Sequence, residues 1–341
     1  MTAPTGEAQG QGQGQGHGHG KVILVGEHAV VYGHRALAAG ISAGITVTAA
    51  PGVGVGRLRV PAWQLDAAVD DGSEAGRALA AVVRRLEAPA LDFAADAAIP
   101  SRAGLGSSAA LAVAVARAAA SAMGRPASDP AILAAVAEAE MVFHGNASGI
   151  DAAAAASGAA GRFSRADGWQ PVAVRQAITL CVGLSGRPRD TAAQVSSVAR
   201  LRERLPAADG VLALLGGLAT DGERALALGD VDGLGRILDV AHGLLASLRL
   251  SSPEIEVMVH GARAAGAIGA KLTGGGGGGA VIALAPGHER DVLARWRAAG
   301  YEGFLAGIPA TIDSGTLGGS HTPRDGLARG NPALSHATEA A

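Results

Sequence analysis

Apolar and polar positions alternate with several different periods along the chain, and each change of period marks a predicted element. Residues 21–26 form a short apolar run that ends at a glycine, which predicts a buried strand. Further strands are predicted over residues 45–49, 53–60, 91–99, 178–182, 280–285 and 302–305. Helical periodicity predicts helices over residues 73–87, 107–123, 128–144, 191–205, 210–228, 231–248 and 253–265.

The predicted strands and helices follow one another without a regular βαβ alternation, which favours an α+β fold with two lobes. A segment rich in glycine and proline, residues 183–190, predicts the boundary between a first lobe over 20–184 and a second over 185–310. Both ends of the chain are polar and rich in residues that pack poorly. We therefore expect flexible tails over residues 1–19 and 311–341.

Composition excludes several classes of protein. One cysteine in 341 residues rules out an internal disulfide framework or a multi-cysteine metal centre, and a net charge of −2 argues against a nucleic-acid binder. The longest apolar stretch, residues 105–123, is interrupted by Arg117, so it predicts a buried helix and no membrane segment. We expect a cytoplasmic protein. Among 28 basic residues the only lysines are Lys21 and Lys271, and each opens a segment that contains glycine.

The first of these segments is GKVILVGEHAVVYG, residues 20–33. Lys21 opens the apolar strand, and Glu27 and His28 follow its end, so polar groups flank one buried element. A chain that otherwise uses arginine selects lysine where a compact charge with three donors is needed. The segment predicts a functional lysine, and a surface lysine beside an ordinary turn is the alternative.

The second segment is PSRAGLGSSAA, residues 100–110. Gly104 and Gly106 permit a tight turn, after which Ser107 and Ser108 begin a helix. The free N–H groups of a helix start bind phosphate oxygens, and a serine hydroxyl there can reach a bound Mg²⁺. The Walker A pattern is absent, and no second strand ending in Asp or Glu follows about 20 residues on, as a dinucleotide site requires. An ordinary capped helix is the alternative.

Two more segments carry candidate chemistry. In KLTGGGGGGA, residues 271–280, the glycines lie between an apolar stretch and a strand, which favours close approach to a ligand over a flexible linker. In residues 138–151, Glu140 and His144 share one helical face, and Asp151 follows a turn of small residues. A surface pair and a helix-capping aspartate are the alternative there.

In this order and spacing, the segments closely resemble those of the GHMP kinase family (galactokinase, homoserine kinase, mevalonate kinase, phosphomevalonate kinase). GKVILVGEHAVVYG is similar to the first motif of the mevalonate kinases, and PSRAGLGSSAA to the phosphate loop P-x-x-x-G-L-G-S-S-A. HGNASGID is similar to HGNPSG[VI]D, KLTGGGGGGA to KLTGAGGGGC, and SGRPRDT to G-x-P-R-x-T. The resemblance covers residues 20–310, nearly the whole of the predicted ordered chain.

The resemblance implies an N-terminal α+β ATP-binding lobe, a ferredoxin-like C-terminal lobe and a site between them. It implies transfer of the γ-phosphoryl group of ATP to the C5 hydroxyl of mevalonate, with Mg²⁺ as cofactor. A related GHMP kinase, such as a phosphomevalonate kinase, is one alternative, and a non-catalytic metabolite sensor is another. The sequence does not determine the oligomeric state, and a homodimer is one open option.

By position, the resemblance assigns Asp151 and Lys21 to catalysis and Ser108 and Glu140 to Mg²⁺. The ATP loop comprises Arg102, Ala103, Gly104, Leu105, Gly106, Ser107 and Ser108, and the alcohol pocket comprises Glu27, His28, Thr191, Gly275 and Gly276. Whether Asp151 is a base or an orienting group stays open, since a carboxylate beside a lysine is a weak base.

The chain departs from the family patterns in several places. Before the first lysine, His19 and Gly20 replace the Ala-Pro or similar pair of the family. Ala147 replaces a proline, and Gly275 and Ala280 replace the alanine and cysteine of the third motif. None of these changes removes a charged or liganding group, so we expect catalysis to be retained and substrate choice to be the property most affected.

Overall fold

The secondary structure comes from a computed structural model that describes residues 12–126, 128, 130–144, 149–188 and 190–311. The strands are β1 Gly14–Val25, β2 Ala36–Pro51, β3 Arg57–Val60, β4 Leu65–Ala68, β5 Leu91–Ala97, β6 Ala160–Ser164, β7 Gly168–Pro171, β8 Ile178–Leu184, β9 Gly269–Thr273, β10 Ala280–Leu284 and β11 Glu302–Ile308. The helices are α1 Glu74–Leu86, α2 Ser107–Ala122, α3 Pro130–His144, α4 Ile150–Ser157, α5 Thr191–Arg204, α6 Ala208–Leu228, α7 Val231–Ser247, α8 Pro253–Ala264 and α9 Glu289–Ala298, with short 3₁₀ helices at Ala29–Tyr32 and Pro61–Trp63.

The first seven strands form one sheet, which is built around the long strand β2. Its order is β4-β3-β5-β2-β6-β7, and β1 pairs with β2 along nearly its whole length. The strand β2 also pairs with β5 near its C-terminal end and with β6 near its N-terminal end, antiparallel in both cases. Helix α2 packs on β1 and β2, so the strand that carries Lys21 lies directly beneath the helix that begins at Ser107.

The last four strands form a second, antiparallel sheet in the order β11-β8-β10-β9. The chain runs from β8 through four helices to β9 and β10 and then through α9 to β11, which is the split β-α-β arrangement of ferredoxin-like domains. Helices α8 and α9 pack against this sheet, and the Trp296 indole N–H donates to the Met258 carbonyl oxygen at 2.8 Å between them. The predicted α+β class is confirmed.

The long helices were predicted to within a few residues, because their apolar stripes and caps are local signals. Short elements were missed: β4, β6, β7, β9, α4 and α9. Strand β9 shows why. All five of its residues are buried, yet two of them are the polar Lys271 and Thr273, whose partners lie about 250 residues away in sequence. Among the described residues, none of the helices combines the length and apolarity needed to cross a bilayer.

The predicted limits of the lobes require two corrections. Strand β8 pairs with β10 and β11, so it belongs to the second sheet, although the predicted boundary after residue 184 places it in the first lobe. The glycine and proline that follow β8 mark a loop inside the second lobe. At the C-terminus, Thr311 is not part of a tail, since its hydroxyl accepts the Val174 N–H at 2.8 Å. Residues 312–341 lie outside the described part of the chain.

The predicted N-terminal tail is wrong for residues 14–19, which belong to β1. A methyl group on Gly14, Gly16 or Gly18 would come within 2.3, 2.2 or 2.0 Å of a carbonyl oxygen of α2. The alternating glycines therefore form the face of the strand on which the helix backbone rests, because side chains of successive strand residues point to opposite faces. Residues 1–11 of the predicted tail lie outside the described part.

This packing predicts that glycine is required along one face of β1. We expect Gly16→Ala to lower the free energy of unfolding by about 1–3 kcal/mol, because the added methyl overpacks the contact with α2. Gln15→Ala is the matched control, since Gln15 is exposed on the opposite face, and it should change that free energy by less than about 0.5 kcal/mol. Urea unfolding measures both. Equal stability of the two variants would mean that this strand is not docked on α2.

Candidate active site

The turn that follows β1 holds two candidate residues in a constrained backbone. Gly26 has φ +99°, and a methyl there would lie 2.5 Å from the Ala36 Cα atom, so only glycine fits. His28 has φ +60°, a left-handed conformation that is costly for a residue other than glycine and is often found at functional sites. Glu27 and His28 are 1% and 5% exposed. The turn therefore holds both polar side chains inside the protein.

The predicted phosphate loop leads directly into α2. Gly104 and Gly106 have φ values of +88° and +69°, and Gly106 is the N-cap, so no side chain caps the helix start. The Lys21 N–H donates to the Leu105 carbonyl oxygen at 2.7 Å, which ties the loop to β1. An uncapped helix start presents N–H groups and positive dipole charge to an anion. Arg102, on this same loop, is exposed and also has a positive φ.

Lys21 and Asp151 form an ion pair across the start of the phosphate loop. The Lys21 Nζ atom lies 2.8 Å from the Asp151 Oδ1 atom, with the two side chains 2% and 24% exposed. Asp151 lies in the first turn of α4, which begins after Gly149 in the left-handed conformation. A methyl on Gly106 would lie 3.3 Å from the Lys21 Cβ atom. The pair thus places a buried positive charge and an accessible carboxylate beside the loop.

Glu140 lies next to this pair and has an unusual acidity. Burial, and after it the nearby Asp151 carboxylate, raise the pKa of Glu140, while a hydrogen bond with Ser108 and the charge of Lys21 lower it, and the net result is a pKa of about 7. Ser108 and Glu140 are therefore brought together as predicted. A carboxylate and a hydroxyl are oxygen donors of the kind that Mg²⁺ prefers.

This small donor set fits Mg²⁺ only together with a ligand. No group of three or more His, Cys, Asp or Glu side chains that could hold a metal occurs in the part of the chain that the structure describes. Mg²⁺ usually takes one or two carboxylates and completes its coordination with water and substrate phosphates. Ser108 and Glu140 therefore match a metal that arrives with a phosphorylated ligand. Residues 145–148 of the fourth segment lie outside the described residues.

The candidate alcohol pocket assembles residues from three distant segments. The His28 Nε2 atom lies 2.9 Å from the Gly275 carbonyl oxygen, and a methyl on Gly275 would lie 3.2 Å from the Thr191 hydroxyl. Gly276 has φ +79°, and a methyl there would lie 2.4 Å from the Leu250 carbonyl oxygen. Five of the six glycines of the run are buried. The run is therefore a packed loop and not a flexible linker, and its approach to a ligand stays a prediction.

Two cations were noted in the sequence without a role, the half-buried Arg117 and the wholly buried Lys271. Arg117 of α2 donates to the carbonyl oxygens of His17 in β1 and Ala156 in α4, both at 2.7 Å. It thereby joins the three elements that carry Lys21, Ser108 and Asp151. The feature of the sequence that could have identified Arg117 is that it is a single charged residue in an alanine-rich helix. The other cation is Lys271, which is 0% exposed and pairs with Glu27.

Comparison with known proteins agrees with the fold. The family model described as GHMP kinases N terminal domain matches residues 74–159, and the one described as GHMP kinases C terminal matches residues 223–302. The mevalonate kinase of Aeropyrum pernix is 38% identical over 281 residues, which cover 77% of this chain and 86% of the relative. That of Thermococcus gammatolerans is 31% identical over 299 residues, which cover 80% and 89%.

A solved structure shows the same architecture. The crystal structure of L. major mevalonate kinase in complex with R-mevalonate superimposes with a TM-score of 0.79 at 27% identity, covering 92% of this chain and 100% of that one. Two lobes, a glycine-rich phosphate loop and relatives at this level of identity together define the class of protein. The chain belongs to the GHMP kinase family.

The raised pKa of Glu140 predicts a pH-dependent cost in stability. Between its ordinary pKa of 4.5 and its raised pKa of about 7, the folded protein binds more protons than the unfolded chain. Stability therefore falls as the pH rises through this range. We expect the free energy of unfolding of Glu140→Gln, relative to that of the wild type, to increase by about 3 kcal/mol from the lower to the upper end of this pH range.

Urea unfolding from pH 4 to pH 8 in the presence of a chelator measures this difference. Glu138→Gln is the matched control, because Glu138 is an exposed glutamate on the same helix, and its difference from the wild type should vary little with pH. If the free energy of unfolding of Glu140→Gln differs from that of the wild type by the same amount at every pH, burial does not raise the pKa of Glu140.

Proposed function

We propose that this chain catalyses ATP-dependent phosphorylation of the C5 hydroxyl of mevalonate to give 5-phosphomevalonate. The observation that carries the proposal is the Lys21–Asp151 ion pair, 2.8 Å long, beside a glycine-rich loop at an uncapped helix start. The 38% identity with a mevalonate kinase supports the choice of substrate.

The phosphate loop and α2 bind the nucleotide in this proposal. The seven residues of the loop surround the triphosphate: Arg102, Ala103, Gly104, Leu105, Gly106, Ser107 and Ser108. Backbone N–H groups at the start of α2 donate to the phosphate oxygens and stabilise the charge that develops during transfer. Ser108 and Glu140 would hold Mg²⁺, which neutralises phosphate charge when bound.

Asp151 and Lys21 act on the alcohol. The C5 hydroxyl donates a hydrogen bond to the Asp151 carboxylate, which aims the oxygen at the γ-phosphorus and receives the proton as the reaction proceeds. A new bond forms between that oxygen and phosphorus, the bond to the leaving ADP oxygen breaks, and ADP carries away the electron pair. Lys21 holds the carboxylate in place and offers positive charge to the transferring group. Positioning and charge supply most of the catalysis in this class of reaction.

A phosphorylated alcohol is the nearest alternative substrate, and Arg35, Arg102, Arg187 and Arg189 are the cations available for it. A phosphomevalonate kinase needs additional cations for the second phosphate. Arg187, a candidate for that role, pairs with Glu254 at 3.2 Å, and Arg35 is exposed to solvent. Arg189 lies outside the described residues.

A metabolite sensor is the weaker alternative, because a binder has no need for the buried Lys21–Asp151 pair. A cytoplasmic location and a homodimer stay predictions.

A substrate panel tests the proposal. We expect ADP release in the presence of Mg²⁺ and mevalonate, and at least about a hundredfold lower kcat/KM with 5-phosphomevalonate, homoserine or galactose, since a polar pocket rejects ligands that leave its groups unpaired. A coupled assay for ADP measures all four in parallel. Preferential turnover of 5-phosphomevalonate would favour the related kinase, and ATP binding without turnover of any alcohol would favour the sensor.

A second prediction concerns the carboxylate that receives the proton. We expect Asp151→Asn to lower kcat by about 10²–10⁴-fold with little change in the KM for ATP, because the amide neither accepts the proton nor pairs with Lys21. Asp96→Asn is the control, since Asp96 is exposed on β5, and it should retain the wild-type rate. Near-normal turnover by Asp151→Asn would overturn the role of this carboxylate.

A further inference from the structure

Lys271 is a wholly buried lysine, and two of its three hydrogen bonds reach a distant part of the chain. Its side chain is 0% exposed, and its Nζ atom donates to the Glu27 carboxylate, to the Leu272 carbonyl oxygen at 2.6 Å and to the Ile23 carbonyl oxygen at 3.4 Å. Burial lowers the pKa of Lys271, and the charge of Glu27 opposes that shift. A buried charge is costly unless it is paired and hydrogen-bonded. The three acceptors satisfy all three donors of the ammonium group.

Glu27 is only half satisfied by this pair. Its side chain is 1% exposed, and one carboxylate oxygen, Oε1, accepts from Lys271. The other, Oε2, is buried and has no hydrogen-bond partner among the residues that the structure describes. The free-energy cost of leaving a buried acceptor unpaired is larger than the free energy gained when its hydrogen bond forms. The position therefore calls for a donor that arrives from outside the chain.

The surroundings leave Glu27 little freedom to turn away. The Thr273 hydroxyl accepts the Ile23 N–H at 2.9 Å and donates to the Ile23 carbonyl oxygen at 3.0 Å. His28, next to Glu27, contacts the Gly275 carbonyl oxygen. Strand β9 and the glycine-rich loop after it are thus bonded to the end of β1 on both sides of the Lys271–Glu27 pair. Lys271 determines which of the two oxygens of Glu27 is left to bind a ligand.

We propose that Lys271 is a positioning residue for the alcohol substrate. It holds Oε1 of Glu27 so that Oε2 accepts a hydrogen bond from a second hydroxyl of the substrate, one that is not phosphorylated. This inference rests on the proposed function, because mevalonate carries such a hydroxyl at C3 in addition to the reacting hydroxyl at C5. The pair then confers selectivity for a diol, and the reacting hydroxyl remains with Asp151.

The competing explanation is an ion pair that only stabilises the fold. A purely structural pair changes the free energy of unfolding and has no effect on how the enzyme distinguishes two bound alcohols. The discriminating probe is 5-hydroxy-3-methylpentanoate, which is mevalonate without its C3 hydroxyl. The ratio of kcat/KM for mevalonate to kcat/KM for this analogue measures the contribution of the second hydroxyl alone.

The test uses the full chain as wild type, Lys271→Met, Glu27→Gln and the double variant. We expect Lys271→Met and Glu27→Gln each to lower the selectivity ratio at least about tenfold, the loss of one hydrogen bond to a charged acceptor. The KM for ATP should stay within about twofold, and the double variant should lose little more than either single one, as expected for residues that act as a unit.

Arg162→Met is the matched control for a broken ion pair. The Arg162 guanidinium lies 3.2 Å from the Glu223 carboxylate and joins β6 to α6 without contacting Glu27. This variant should keep the wild-type selectivity ratio even if it unfolds at lower urea. A Lys271→Met enzyme that is less stable but has the wild-type ratio would overturn the inference and leave only the structural pair.

Two further outcomes are decided by the same experiment. If Lys271→Met fails to fold, Glu27→Gln carries the test, because it keeps the size of the side chain, and an unchanged ratio in that variant overturns the inference. If the wild type does not phosphorylate mevalonate, the proposed function fails together with this inference. Wild-type turnover with unchanged ratios in the variants rejects the inference alone.

Discussion

The close contact between the glycine face of β1 and helix α2 is the constraint on which the site depends. Because Gly14, Gly16 and Gly18 carry no side chains, the backbone of α2 rests directly on the strand. The strand continues from this contact to Lys21, and the helix begins at the phosphate loop. A strand with ordinary side chains there would hold the helix farther away and would separate the lysine from the loop, which the Lys21–Leu105 hydrogen bond now joins. Arg117 then fixes α4 to the same pair of elements.

Buried charge is the second organising feature. The chain has two lysines, and each is buried against one carboxylate, Lys21 against Asp151 and Lys271 against Glu27. The arginines that the structure describes pair mostly near the surface, as Arg57 and Arg187 do. A compact ammonium group fits a small buried site where a planar guanidinium does not. The first pair lies in the seven-stranded sheet and its helices, and the second joins that part to the ferredoxin-like sheet.

Assembling these groups costs free energy, because some of the residues have strained backbones and others have desolvated side chains. His28 and Arg102 adopt left-handed backbone conformations, and burial raises the pKa of Glu140 to about 7. Each of these features is unfavourable in the protein alone, and in the proposed function each lies where phosphate, metal or alcohol binds. The surrounding sheets and the packed glycine loop supply the stability that maintains them.

Local signals in the sequence were sufficient for the long helices, the α+β class and the candidate residues. Lysines, glycine pairs and the order of the motifs are properties of short segments, so Lys21, Gly104, Ser108 and Asp151 could be singled out without a structure. The same reasoning failed for the glycine-rich N-terminus, because a strand with one bare face and a flexible tail have similar composition. Only the presence of α2 on that face decides between them.

Contacts between residues far apart in sequence were decided by the tertiary structure alone. The partner of Lys271 lies 244 residues away, and the Thr273 hydroxyl bonds to a strand 250 residues away. Composition and periodicity are properties of one segment. The burial, the pairing and the pKa of a side chain depend on which other segments pack around it. The sequence by itself determined which residues are candidates for the chemistry. The packing of β1, α2 and β9 determined which carboxylate each lysine faces, because these distances depend on the whole fold.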